Sequence, residues 1–252
     1  MSLGGRAESI GFLRASVARI EAGSPVPGGR GGGLCEVLPA AAGDAPAATA
    51  FALSLARRRA GASGPVIWIS DEMTLVQRGA VYAPGLRFHG LAAAQIVLVR
   101  AMDARAALWA MEEALCSPAP AVVIGEVWDA ARHCDLRITR RFLLAARAGG
   151  ALGVLLHPAP APGALSTAAR DRFEVRALPG RWRTSAGDRR PIFGAPAWQA
   201  RRLKGQEIVL QETLQETLQE TLQENPQKTT NNNREPSGVA LSQPLHQRRA
   251  SA

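Results

Sequence analysis

Residues Glu36 to Ala56 read EVLPAAAGDAPAATAFALSLA: an apolar strand-like piece, a turn of small residues, and an alanine- and leucine-rich helical piece. Strand, tight turn and helix in that order aim backbone amides at a helix N-terminus, the layout that cradles phosphate groups. What fills the turn decides whether it can do so. Gly43, Asp44, Ala45 and Pro46 fill it, and no Gly-Lys followed by serine or threonine occurs anywhere in the chain. A nucleotide-binding loop needs that lysine for the terminal phosphates and the hydroxyl for Mg²⁺. Asp44 instead puts negative charge where phosphate would sit, and Pro46 removes an amide donor. The plain alternative is a connection of strand to helix with Asp44 near the N-cap. Tight nucleoside-triphosphate binding is not expected, and no cofactor is implied.

Working outward, apolar strands and helical stretches alternate. LCEVL (34–38), GPVIWIS (64–70), AAQIVLVR (93–100), AVVIGEVW (121–128) and ALGVLLH (151–157) read as short buried strands. Between them, PAATAFALSLARRRA, DARAALWAMEEAL (103–115) and CDLRITRRFLLAARAGG (134–150) read as helices, with Asp103 as an N-cap and the paired glycines as a stop. Apolar strands separated by helices predict an α/β fold, with a mostly parallel sheet covered on both faces. Past PAPAPGAL the pattern changes. DRFEVRALPGRWRTS alternates around a Pro-Gly turn and predicts an antiparallel hairpin extension, and GAPAWQARRLK could add a strand.

The two ends differ from the body. Ile10, Leu13, Val17 and Ile20 fall at helical spacing and predict an amphipathic docking helix. A glycine-rich linker follows, and its glycines miss the GxGxxG offsets because Leu34 stands where the third should be. From Gly205 the composition shifts to Gln, Glu, Thr and Asn. The repeat LQETLQETLQETLQE (Leu210–Glu224) has a period of four, which drifts by roughly 40° per unit around a helix and builds no straight seam. The expected organisation is therefore an N-terminal helix and linker (1–33), an α/β domain with a β extension (34–204), and a disordered tail (205–252).

The formal charge is +9, and lysine stands only at Lys204 and Lys228, so nearly all the cations are arginines. Acidic residues outnumber basic ones beyond Gly205, which places the positive excess on the body. That excess favours acidic partners such as nucleic acid. Arg140 and Arg141 on the helix, and Arg181, Trp182 and Arg183 on the extension, are candidate DNA or partner contacts, with a solvated face as the alternative. Cys35, Cys116 and Cys134 lack metal or disulfide spacing, so no metal is expected. No stretch is apolar and long enough to span a bilayer, no signal-like core opens the chain, and a cytoplasmic location without membrane contact is expected.

Glu72 follows the second strand, beside Asp71, and Glu126 lies near the end of the fourth. Both positions face the crevice at the C-terminal ends of a parallel sheet, where ligands bind. They read either as remnants of a water-activating carboxylate and a metal-binding acid, or as strand-end charges paired with arginines. His157, ending the fifth strand, either touches a ligand in that crevice or is a satisfied strand-end histidine. No serine or threonine shows the partners of a hydrolase triad.

CEVLPAAAGDAPAATAFALSLA, GPVIWISDEM, YAPGLRFHGLAAAQIVLVRAMDARAALWAMEEAL, AVVIGEVWDA and LRITRRFLLAARAGGALGVLLHP together resemble the RecA core, strand by strand. More closely they resemble the ImuA family, RecA-like proteins of bacterial damage-induced mutagenesis cassettes, over about residues 10–204. The resemblance implies a RecA-like fold without recombinase activity. It implies an accessory role in SOS-induced translesion synthesis, beside an ImuB-like Y-family protein and, indirectly, an error-prone C-family DNA polymerase. RecA and DNA are further candidate partners. It sets Glu72 at the catalytic glutamate, Glu126 near the Walker B acid, and His157 near the ligand-sensing strand end. The Walker A lysine has no counterpart, so a non-catalytic protein is implied; the competing class is an ATP-dependent enzyme with a degenerate loop. The tail departs from the family, which continues past a segment like PAWQARRL with an Arg/Gly- and Trp-containing strand.

Overall fold

The computed structural model describes residues 32–61, 64–160, 167–181, 195–203 and 209–213. Ile10, Leu13, Val17 and Ile20 of the expected docking helix, the linker up to Gly31, and Trp182 and Arg183 lie outside these residues. An eight-stranded sheet organises the rest, in the order β3-β2-β4-β5-β1-β6-β7-β8. Its strands are β1 (Gly33–Pro39), β2 (Val66–Asp71), β3 (Ile96–Ala101), β4 (Val122–Glu126), β5 (Leu152–Leu156), β6 (Asp171–Arg181), β7 (Ala195–Arg202) and β8 (Val209–Thr213). The first six run parallel to one another, and β7 and β8 add an antiparallel extension on the far side of β6. This is the α/β sheet expected from the alternation of apolar runs and helices.

The helices are α1 (Ala45–Ala60), α2 (Glu72–Arg78), α3 (Ala83–Phe88), α4 (Ala104–Cys116), α5 (Ala130–His133) and α6 (Leu136–Gly149). α1 covers one face of the sheet. Phe51, Leu55 and Ala56 pack there on Cys35, Val37, Val154 and Phe173, and the Phe51 and Phe173 rings meet edge to face at 5.1 Å. α4 and α6 cover the other face, where Leu108, Met111 and Leu115 pack with Phe142, Ala145 and Ala146. β1, β4 and β5 are buried along their whole length, so their side chains on both faces must be apolar or internally paired.

Helix ends follow the expected chemistry. Asp103 accepts from the Ala106 amide at 2.7 Å and starts α4, and Asp135 does the same for Ile138 at 2.9 Å in α6. Gly150, at φ 82°, stops α6 in the left-handed conformation that glycine adopts without strain. Its neighbour Gly149 lies so close to the Leu115 and Ser117 carbonyls that a Cβ would clash with backbone. The AGG stretch therefore both ends α6 and lets its last turn touch the end of α4.

Two expectations are corrected in the extension. Pro179-Gly180 makes no hairpin turn: β6 runs through it, and the partner strand β7 begins only at Ala195. The pairing of β6 with β7 shifts register between Leu178 and Arg181, so the amide proline lacks is not called on by a regular ladder there. The second correction moves a boundary. β8 pairs antiparallel with β7 from Val209 to Thr213, so the sheet continues past Gly205 and takes in the first LQET unit. A period of four drifts on a helix but is a whole multiple of the two-residue strand period, which keeps each face constant. Leu210 is half-buried against the α1 side of the core.

Candidate functional site

The turn after β1, the β2–α2 junction and the ends of β4 and β5 all lie at the C-terminal edge of the parallel strands, where a ligand crevice is expected. The turn is spoken for by its own carboxylate. Asp44 precedes α1 without capping it; one oxygen accepts from the Ala41 amide at 3.0 Å and the other from the Ala177 amide of β6 at 2.8 Å. An internal anion thus takes a turn amide of the kind a phosphate cradle would offer. Gly43 is exposed, with nothing within 4 Å of where a Cβ would stand and no left-handed φ. No close approach to another backbone demands glycine there.

Arg78 occupies the neighbouring space. From the last turn of α2 its guanidinium reaches the Glu126 carboxylate (Nε–Oε1 2.9 Å), the Pro158 carbonyl (2.9 Å) and the Thr49 hydroxyl one turn into α1 (3.2 Å). One cation therefore ties α1, β4 and the segment after β5 together. Glu126 is buried, and burial pushes its carboxyl above the usual range, opposed by Arg78 and the Trp68 indole and aided by the nearby Asp71 charge. The pairing with arginine is one of the alternatives its sequence position left open.

Asp71 is the buried acid of the β2 end. It caps α2 by accepting from Thr74 at 2.9 Å, and it also accepts from the Trp128 amide at 3.2 Å, joining the exits of β2 and β4. Glu72 stands one residue on and is about half exposed, paired with Arg100 of edge strand β3 at 3.2 Å. The two acids divide the work: Asp71 ties backbone inside, while Glu72 sits on the rim.

His157 ends β5 with its amide bonded to Val37 at 2.9 Å and its ring buried. Burial, and then the Arg172 charge, lower its pKa to about 4, so the ring is neutral at physiological pH. Its Nε2 has no hydrogen-bond partner among the described residues. Beside it lies a pairing that sequence reasoning missed. Glu36 in mid-β1 meets Arg172 of β6 at 3.3 Å and accepts from the Thr167 hydroxyl at 2.6 Å. Burial drives the Cys35 thiol well above its ordinary pKa and the Cys134 thiol to about 12, so neither is a nucleophile.

Arg140 and Arg141 lie exposed on α6, with Arg141 held by Glu112 of α4 through a 2.8 Å bond from its Nε. Arg181 ends β6, far in sequence from both. Among the described residues no His/Cys/Asp/Glu group could hold a metal ion. Nor is any described helix long and apolar enough to cross a membrane.

With this geometry in place, comparison with known proteins gives a relative. Protein ImuA of Caulobacter vibrioides, in two strains, is 36% identical over 123 residues, covering 48% of this chain and 45% of that protein. This chain is a relative of ImuA. It spans about half the length of the curated relatives it matches. No family model matches. Among solved structures, SulA from Pseudomonas aeruginosa is 23% identical at a TM-score of 0.37, covering 49% of this chain and 97% of that one. The fold rests on the sheet itself.

Proposed function

We propose that this protein is a non-catalytic accessory factor of SOS-induced, error-prone translesion DNA synthesis. It has the RecA-like layout without the nucleotide chemistry and works through contacts with an ImuB-like Y-family partner. The kinship with ImuA supports the cellular role. The observation that carries the non-catalytic reading is the state of the crevice. Asp44 engages amides of the turn and of β6, and Arg78 joins Glu126, Thr49 and Pro158 where phosphates and metal would have to enter. A triphosphate would have to break those bonds, with no lysine to receive it and Pro46 in place of a donor.

Two measurements test the proposal. Calorimetric titration with ATP and Mg²⁺ should give no saturable heat; micromolar binding that Glu126→Gln abolishes would overturn the non-catalytic reading. Co-purification with an ImuB-like protein from DNA-damaged cells tests the partner, and reproducible failure of the two to associate would sink that part alone.

A further inference from the structure

α4 and α6 lie side by side on one face of the sheet, and each returns from a strand parallel to β2, so the two helices run in the same direction. The Glu112–Arg141 ion pair fixes their alignment. One turn toward the N-terminus from Glu112 stands Trp109, and one turn back from Arg141 stands Arg137. Trp109 is 63% exposed, unusual for a side chain of that size and apolarity. Arg137, Arg140 and Arg147 are exposed, with no ion pair among the described residues, and α6 itself carries no acidic residue. Arg105 is exposed one turn before Trp109, and Glu113 one turn after it.

We infer that this α4–α6 face binds single-stranded nucleic acid, with Trp109 as a stacking platform and the α6 arginines along the phosphates. The pairing of an exposed indole with flanking guanidiniums matches the two halves of a nucleotide. The ring stacks on a base, and the cations neutralise the backbone. An acidic peptide would use the arginines but has no need of the indole. Arg137 to Arg147 spans ten helical residues, roughly 15 Å at the helical rise, enough to follow a strand over more than one nucleotide. Arg141 is committed to Glu112 and contributes alignment more than charge. The face lies away from the crevice at the strand ends, so the outcome of the ATP titration has no bearing on it.

The test is fluorescence anisotropy of a labelled oligothymidylate with the full chain at several salt concentrations. Wild type should bind with a clear salt dependence. Arg137→Gln with Arg140→Gln should weaken binding about tenfold or more and lower the salt slope by roughly 1.4, two single-strand phosphate contacts. Trp109→Ala should weaken binding about tenfold with the slope unchanged, while Trp109→Phe keeps most of the affinity. All these side chains are exposed, so melting temperatures should match wild type and serve as the folding control. Absence of oligothymidylate binding, or Trp109→Ala binding like wild type, would overturn the inference. So would polyglutamate or inorganic polyphosphate competing as well as unlabelled oligothymidylate, which would make the face a simple polyanion site.

Discussion

Replacing Asp44 with alanine tests whether the turn is an emptied nucleotide loop or one rebuilt around its own carboxylate. The substitution removes two charge-assisted hydrogen bonds, to Ala41 at 3.0 Å and Ala177 at 2.8 Å. Bonds to a charged acceptor contribute about 1.5–3 kcal/mol each when well enclosed. Asp44 is only half-buried, and both donors belong to exposed residues, so water replaces much of what is lost. The exposed pair therefore falls below that range, at about 2 kcal/mol for the two bonds together. In a domain of this size that lowers the melting temperature by about 4–8 °C. Differential scanning calorimetry measures it, and the same sample is titrated with ATP and Mg²⁺. Alanine should bring no nucleotide binding, because the lysine is still missing and Arg78 still holds Glu126. Gly43→Ala is the companion, expected to melt within about a degree of wild type because its Cβ meets nothing. An unchanged midpoint in Asp44→Ala would refute the structural role of the carboxylate. Saturable ATP binding gained on its removal would refute the view that the site is lost rather than masked.

Other expectations follow from the same geometry. Arg78→Met should destabilise by about 3–5 kcal/mol, since it strands a buried Glu126; adding Glu126→Gln should recover much of this in a chemical-denaturation double-mutant cycle. His157 binds a proton near pH 6.5 when unfolded and only near about 4 in the fold. Its contribution is therefore complete above pH 6.5 and drains away as pH falls toward 4, about 3 kcal/mol in total. Urea melts of His157→Gln should lack that part of the acid-side loss, and an unaltered pH profile would contradict the buried neutral ring. Truncation after Lys204 removes β8 and leaves β7 as a bare edge, so it should lower the melting temperature by several degrees, whereas truncation after Thr213 should not. Equal midpoints for the two would deny β8 its place in the sheet.

What the sequence disclosed and what it withheld have physical causes. β1, β2, β4 and β5 were legible because strands buried on both faces must be apolar almost throughout, and nothing else in a chain of this composition looks like VIWIS or AVVIGE. The start of α4 was legible because Asp103 acts through an amide three residues away, a purely local bond; the sequence reading began α6 at Cys134, two residues before its start behind the Asp135 cap. The crevice was only half legible. The missing lysine is a local fact, and so is the carboxylate in its place. The Arg78–Glu126 and Arg172–Glu36 pairs join residues far apart in sequence, and in an arginine-rich chain nothing local marks which cations go inside. Trp109 is a contrasting case. One residue on from Leu108, it stands about 100° round the helix from it and off the buried Leu108, Met111 and Leu115 side, so its outward direction is local too, whereas its neighbours on α6 are not.

The first LQET unit, Leu210 to Thr213, departs from the expected tail for a different reason. A four-residue period drifts on a helix but closes every two pairs of a strand. Pairing then decides between a poor helix and a regular strand. β7 carries the buried Trp198 and Ala200, and without a neighbour it would present a row of unpaired backbone groups at the end of the sheet. Val209 to Thr213 supply the complementary row. Leu210 adds apolar cover over the α1 side, where roughly 1–2 kcal/mol of burial is available to a half-covered leucine. A segment with little intrinsic preference takes its structure from the edge it meets. The same reasoning makes Leu210→Ser a sharp check. It leaves the backbone pairing intact and removes the apolar contact, so it should give part of the loss expected on truncation after Lys204. A loss as large as that truncation would show that the leucine, not the backbone ladder, holds β8 in place.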